Sequence, residues 1–316
     1  MCRNRHSLRV DAGCVIDRGA SDAWWKLPDL WTPRTRPQVF AKPQTVSHSS
    51  HHASSECSLP KERSQELLRL RAQSPTDSAE EAKWGSAIVA LRSDLVLRER
   101  PRVPLAGCKM NPPTGDALPD SHPGACAVAD VLDVRGRSQF TAISLYGQWE
   151  VMADGRTMYS CARLHRMISD LTGVLAASRR HPVVLAGDLN LTTQVAYSGQ
   201  TQAETDGAAA AFARLRAWGL TDCVSHTRAS RSRLADCTCP EGDACSHVQT
   251  FRLNNRVDSR PTQLDYAFVS DSIASKLTEC RVVHDDAAWQ LSDHCPIVLE
   301  LDGDSRGGTQ RAQRAR

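Results

Sequence analysis

Three stretches of this chain set acidic, amide or imidazole groups beside a short apolar run: VVLAGDLN (183–190), QLDYAFVS (263–270) and LSDHCPIVLEL (291–301). Carboxylate, amide and imidazole are the groups that position a water and compensate charge on a reacting ester. Each stretch also has a plainer reading. Asp188 and Asn190 suit the cap of a turn after a strand. Asp265 suits a satisfied polar residue beside Tyr266, and Ser292-Asp293 a turn that opens the last strand.

A second cluster carries different chemistry. Residues 235–251, ADCTCPEGDACSHVQTF, hold Cys237, Cys239, Cys245 and His247 in a C-x-C-x5-C-x-H arrangement. Four soft ligands so close together suit tetrahedral Zn²⁺, and Pro-Glu-Gly-Asp between them allows a tight knuckle. Free thiols or a disulfide are the competing readings. A metal here would brace the loop leading into Thr250-Phe251.

Taken together, GDxN, LDYxF and SDHxP in that order resemble the endonuclease/exonuclease/phosphatase superfamily, over residues 84–302. The superfamily includes deoxyribonuclease I-like nucleases, apurinic endonucleases, inositol polyphosphate 5-phosphatases and sphingomyelinases. The resemblance implies an α/β (α+β) four-layer sandwich of two mixed β-sheets flanked by helices. It also implies a metal-dependent phosphoesterase, read as nuclease-like and acting on DNA or RNA, with a lipid or inositol phosphatase as the alternative. By the same resemblance Asp188 aligns or deprotonates the attacking water, and Asn190 holds that water or a phosphate oxygen. His294 binds the phosphate, Asp265 fixes the His294 tautomer, and Asp293 helps hold Mg²⁺ or Mn²⁺. Tyr146, in ISLYG (143–147), falls where the family presents an aromatic or histidine to the phosphate, and Thr250-Phe251 resembles a segment lying near the substrate.

The resemblance stops upstream of Trp84. The family's first strand normally ends in an asparagine, and its second carries a metal-binding glutamate after a glutamine. Gln65-Glu66 has those letters but lies in the charged, helix-like run KERSQELLRLR. On this reading the domain lacks its first strands, and the competing function is a catalytically impaired relative that binds nucleic acid or a phosphorylated ligand.

The elements that must position these residues follow from periodicity. Strands are expected at 85–91, 95–97, 126–134 and 139–147, the last two joined by RGRS. Leu164, Met167, Ile168, Leu171 and Leu175 share one helical face, and 183–186 is a short buried strand. A second helix over 203–218 carries Ala208, Phe212, Leu215 and Trp218. Strands are expected again at 249–253, 263–269, 281–284 and 296–301. Strands outnumber helices, and no G-x-G-x-x-G follows a strand, which argues against a dinucleotide fold.

Residues 1–83 are rich in Ser, Arg, Pro and His and read as largely irregular, with one short helix at 61–71. The tract holding His48, His51 and His52 reads as solvated low-complexity chain rather than a metal site. The tail 303–316 reads as disordered and basic. With 316 residues, 41% hydrophobic and 24% charged, there is ample chain for a core. A net charge of +3 does not by itself argue for nucleic acid. No apolar run reaches the ~18 residues of a membrane helix, and no signal-peptide pattern opens the chain, so a cytoplasmic monomer is expected. Of the 12 cysteines, Cys108, Cys126, Cys161 and Cys280 are scattered singly and read as small core hydrophobes.

Overall fold

A computed structural model describes residues 7–12, 38–43, 86–90, 93–104, 117–148, 150–151, 157–158, 161–194, 201–227, 234 and 237–302. Two sheets pack face to face. The larger is mixed and six-stranded, in the order β12 (Leu220–Asp222), β13 (Asp265–Ser270), β11 (Val183–Asp188), β8 (Ser138–Tyr146), β7 (Cys126–Asp133) and β4 (Leu95–Glu99). Its centre is easily explained. Every residue of β11 and β13 is buried, as is β8 from Phe140 onward. Near-continuous apolar runs are what strands covered on both faces require.

The second sheet has the order β14 (Leu277–Val282), β15 (Ile297–Asp302), β1 (Ser7–Ala12), β2 (Gln38–Pro43) and β3 (Ser86–Ala90). Between the sheets lie Val131, Phe140, Ala142, Val184, Ala186, Ala267 and Val269 from the first, and Ile88, Cys280, Ile297, Leu299 and Leu301 from the second. Each large apolar side chain buried in this way contributes about 1.5–3 kcal/mol.

Helices cover the outer face of the larger sheet. They are α1 (Cys161–Asp170), α2 (Thr172–Ala177) and α3 (Gln202–Ala217). Leu164, Met167, Ile168, Leu171 and Leu175 bury against Ile143, Leu145, Leu185 and Phe268 as one apolar stripe. That stripe runs through a break at Leu171, where ψ is 1°. α3 starts with the box its sequence permits: Thr201 accepts from the Glu204 amide, and the Glu204 carboxylate accepts from the Thr201 amide. On the other side, Ala288 and Trp289 of a short helix (Asp286–Leu291) pack with Val298 and Val283. The layers are therefore helix, sheet, sheet, helix.

Three expectations need correction. The first strands are present: β1 pairs antiparallel with β15 and parallel with β2, and β2 pairs with β3. β1 (SLRVDA) alternates polar and apolar residues over only six positions, and β2 (QVFAKP) does not alternate, so the pairing with neighbours decides their conformation. Residues 249–253 do not form a strand. Phe251 makes isolated bridges to Thr262 and to His294, which ties the segment across two others. The strand expected at 281–284 begins earlier, at Leu277, and ends at Val282. Cys126, Cys161 and Cys280 are buried free thiols, as expected of small hydrophobes. The 61–71 helix, Gln65-Glu66, the histidines 48, 51 and 52, Cys108 and the tail lie outside the described residues. No helix among the described residues is long and apolar enough to cross a membrane.

Candidate active site

The site begins as a row across three neighbouring strands. Asp188 pairs with Tyr146 on parallel β8 and with Asp265 on antiparallel β13. Residues in register project to one face of a sheet, here the face turned toward the second sheet. Two glycines allow this tight strand end. Gly187 has φ +146°, and a Cβ there would run into the Leu145 carbonyl oxygen. A Cβ on Gly147 would run into the Leu189 carbonyl oxygen.

Asn190 lies beyond the strand, so pleat alternation does not place it. Its φ is +48°, in the left-handed region that asparagine tolerates. Its backbone N–H donates to Asp188 Oδ1 at 2.8 Å. The capped-turn reading and the active-site reading of GDLN are therefore compatible, because the cap holds the carboxylate and the amide together.

The second sheet supplies the imidazole. His294 sits just before β15, and its amide donates to Ser292 Oγ at 3.0 Å. Its Nδ1 lies 2.9 Å from Asp265 Oδ2, and both residues are 1% exposed. The Phe251 ring lies 4.8 Å from the imidazole, centroid to centroid. The segment bearing Phe251 is clamped to this loop, with Arg252 N–H donating to the Asp293 carbonyl and Cys295 N–H to the Thr250 carbonyl. Thr250 is fully buried, and its Oγ1 accepts from the amides of Leu264 and Asp265, each at 3.0 Å. That hydroxyl positions Asp265.

Burial alone would push the His294 imidazole below its ordinary 6.5. The carboxylates of Asp265, Asp188 and Asp293 overcome this and raise it to about 9. The ligand atoms of Asp188, Asp265 and His294 all lie within 4.8 Å of one another. Among the described residues, His294 Nε2, Asn190 Nδ2 and Asp265 Oδ1 are buried without a hydrogen-bond partner. Buried polar atoms are normally satisfied, so unsatisfied atoms on His294, Asp265 and the Asn190 turn suit an external ligand.

Cys237, Cys239, Cys245 and His247 also come together, with ligand atoms within 4.8 Å of one another. Burial pushes the His247 imidazole down to about 4, which leaves it neutral near pH 7. Four residues at these two sites were not foreseen. Thr193, Gln194 and Gln263 join the cysteine cluster to the strand ends. Arg252 lies with its guanidinium carbon 4.0 Å from the Trp289 ring centroid.

No family model and no curated protein matches the chain. Solved structures do match. An apurinic/apyrimidinic (AP) endonuclease from Leishmania major aligns over 94% of this chain and 88% of its own, with 15% identity and TM-score 0.59. An AP endonuclease from Archaeoglobus fulgidus aligns over 94% and 100%, at 14% identity and TM-score 0.56. A 3′-5′ exonuclease from Neisseria meningitidis aligns over 94% and 100%, at 17% identity and TM-score 0.53. The chain has the fold of these nucleases. Within that fold, Asp188, Asn190, Asp265 and His294 gather where the ends of β11, β13 and β15 meet. The chain departs from the expected pattern at its N-terminus, since neither Ser7–Ala12 nor Gln38–Pro43 contains a glutamate.

Proposed function

We propose that the protein is a divalent-metal-dependent phosphoesterase that hydrolyses phosphodiester bonds in nucleic acid. The observation that carries this reading is the buried Asp265–His294 pair gathered with Asp188, with His294 Nε2 lacking a partner among the described residues. His294, as an imidazolium, donates from Nε2 to a phosphoryl oxygen and stabilises the charge that grows there. Asp265 holds Nδ1–H and so fixes the ring. The Asp188 carboxylate accepts a proton from the attacking water as its oxygen bonds to phosphorus. Asn190 Nδ2–H holds that water or a phosphoryl oxygen. The opposite P–O ester bond breaks, and the leaving oxygen takes a proton from solvent. Tyr146, in register with Asp188, borders the same face and is assigned to the phosphate.

Asp188, Asp265 and Asp293 offer hard carboxylate oxygens, and Asp265 Oδ1 is buried with no donor among the described residues. This set fits Mg²⁺ or Mn²⁺ better than a soft metal. Such an ion, when bound, adds charge compensation on the phosphoryl oxygens. Nucleic acid is favoured over a lipid or inositol phosphate because the similar structures are nucleases and a Neisseria 3′ phosphatase bound to a product DNA hairpin.

A second reading, a relative that binds nucleic acid without cleaving it, rests on the absence of a glutamate from Ser7–Ala12 and Gln38–Pro43, the first two described strands. Cleavage of plasmid DNA and of bis-p-nitrophenyl phosphate with Mg²⁺ or Mn²⁺ separates the two, with Asp188→Ala and His294→Ala as controls. Metal-dependent turnover abolished in both variants supports the enzyme. Equal signals from all three proteins, with DNA binding retained, support the second reading.

A further inference from the structure

We infer that Cys237, Cys239, Cys245 and His247 form a structural Zn²⁺ site whose task is to hold the three segments that carry the active-site residues. Three sulfur atoms and one nitrogen, all within 4.8 Å of one another, suit a tetrahedral centre. Zn–S bonds of about 2.3 Å and a Zn–N bond of about 2.0 Å, at a tetrahedral angle, place sulfur and nitrogen roughly 3.5 Å apart. His247 Nδ1 lies 3.4 Å from Cys245 Sγ and 3.7 Å from Cys237 Sγ. Cys239 and Cys245 are buried, Cys237 is half-buried, and all three are free thiols. Three thiols cannot all pair as disulfides, whereas three thiolates and one neutral imidazole complete a zinc shell.

The surroundings of the ligands are those of a metal site. A ligating histidine commonly commits its second ring nitrogen to a fixed partner. Here His247 Nε2 lies 3.0 Å from Thr193 Oγ1, which leaves Nδ1 facing the thiols. Gln194 Nε2 donates to Cys237 Sγ at 3.3 Å, an N–H···S bond of the sort that stabilises a thiolate. All four positions of a tetrahedral ion would be filled by protein, so no position is left open for water or substrate. Structural zinc sites have this closed form, while catalytic ones keep an open position.

The same contacts lead to the chemistry. Thr193 and Gln194 follow Asp188 and Asn190 in the segment that leaves β11. Gln194 Oε1 accepts from the Gln263 amide at 2.9 Å, and Gln194 Nε2 also donates to the Pro261 carbonyl. Gln263 Oε1 accepts from the Val248 amide at 3.0 Å, one residue past His247. Thr250 then holds the amides of Leu264 and Asp265. One ion would therefore pin the Asn190 turn, the Phe251 segment and the start of β13 to one another. Locally these segments have little regular secondary structure to hold them, so the ion replaces a scaffold.

The test uses the full chain, purified under reducing conditions. Elemental analysis is expected to find one equivalent of Zn²⁺ that survives EDTA dialysis but leaves on thiol modification. Co²⁺ replacing it should give the intense visible bands of a tetrahedral thiolate site. Cys239→Ser should lose the metal. Should that variant fail to fold, Thr193→Val keeps all four ligands and should weaken Zn²⁺ binding about 10–100-fold. Asp188→Ala should retain full zinc whether or not the wild type is active, so this result does not depend on the proposed hydrolysis. A fully reduced protein that binds neither Zn²⁺ nor Co²⁺ would overturn the assignment, as would a disulfide within the cluster or unchanged zinc affinity in Thr193→Val.

Discussion

Asp265 opens a strand of one sheet and His294 precedes a strand of the other, 29 residues apart in sequence, yet His294 Nδ1 lies 2.9 Å from Asp265 Oδ2 with both side chains buried. The pair ties the candidate site together across the sandwich. Asp265→Asn keeps the shape but removes the charge that holds the imidazolium. Turnover is expected to fall about 10²–10⁴-fold. The His294 titration, followed by NMR, should move down from about 9. A fall in turnover without that movement would assign Asp265 a different role.

Gly187 tests whether the strand end is as tight as it looks. At φ +146°, with the Leu145 carbonyl oxygen in the way, alanine has neither the backbone conformation nor the room. Strain of this kind costs about 1–3 kcal/mol, and relieving the clash adds to it. Gly187→Ala should lower Tm measurably and displace Asp188, so activity falls further than stability. Gly136 is the control: it also has positive φ but meets nothing within 4 Å, so alanine there should cost less.

The chemistry-bearing residues were legible because each ends or opens a strand whose apolar run is unmistakable. β11, β13 and β15 announce where Asp188, Asp265 and His294 must lie. What was not legible depends on partners far away in sequence. Gln194 reaches Gln263 across 69 positions, and nothing in either local sequence marks the bond. The resemblance of Thr250-Phe251 to a substrate-side segment singles out Thr250, and nothing local shows that its hydroxyl accepts from the amides of Leu264 and Asp265. The two N-terminal strands were unreadable for a related reason. Each is only six residues long and is defined by the strands beside it; the alternation in SLRVDA is too brief to stand out in a Ser- and Arg-rich stretch.

The His294 imidazolium also makes stability depend on pH in the metal-free protein. Its folded pKa of about 9 exceeds the ordinary 6.5. The contribution is therefore fully present below pH 6.5 and is lost as pH rises through about 9. The difference corresponds to about 3 kcal/mol at most. Chemical denaturation with EDTA present should show stability declining across that window. His294→Gln should flatten the decline. An unchanged slope in the variant would place the pH dependence elsewhere.

Arg252 offers a test of substrate binding apart from chemistry. Its backbone is pinned to the Asp293 carbonyl, its guanidinium lies over Trp289, and its Nε is buried without a partner among the described residues. A stacked guanidinium with an unused donor, on the residue next to Phe251, suits a phosphate of the nucleic acid strand outside the scissile bond. Arg252→Ala should raise KM for DNA with a smaller effect on kcat, and should reduce the salt dependence of binding by about one counterion. Lysine should rescue only part of the loss, because it keeps the charge without the planar stack. A matching drop in kcat and Tm with unchanged KM would instead assign Arg252 to holding the Asp293 loop.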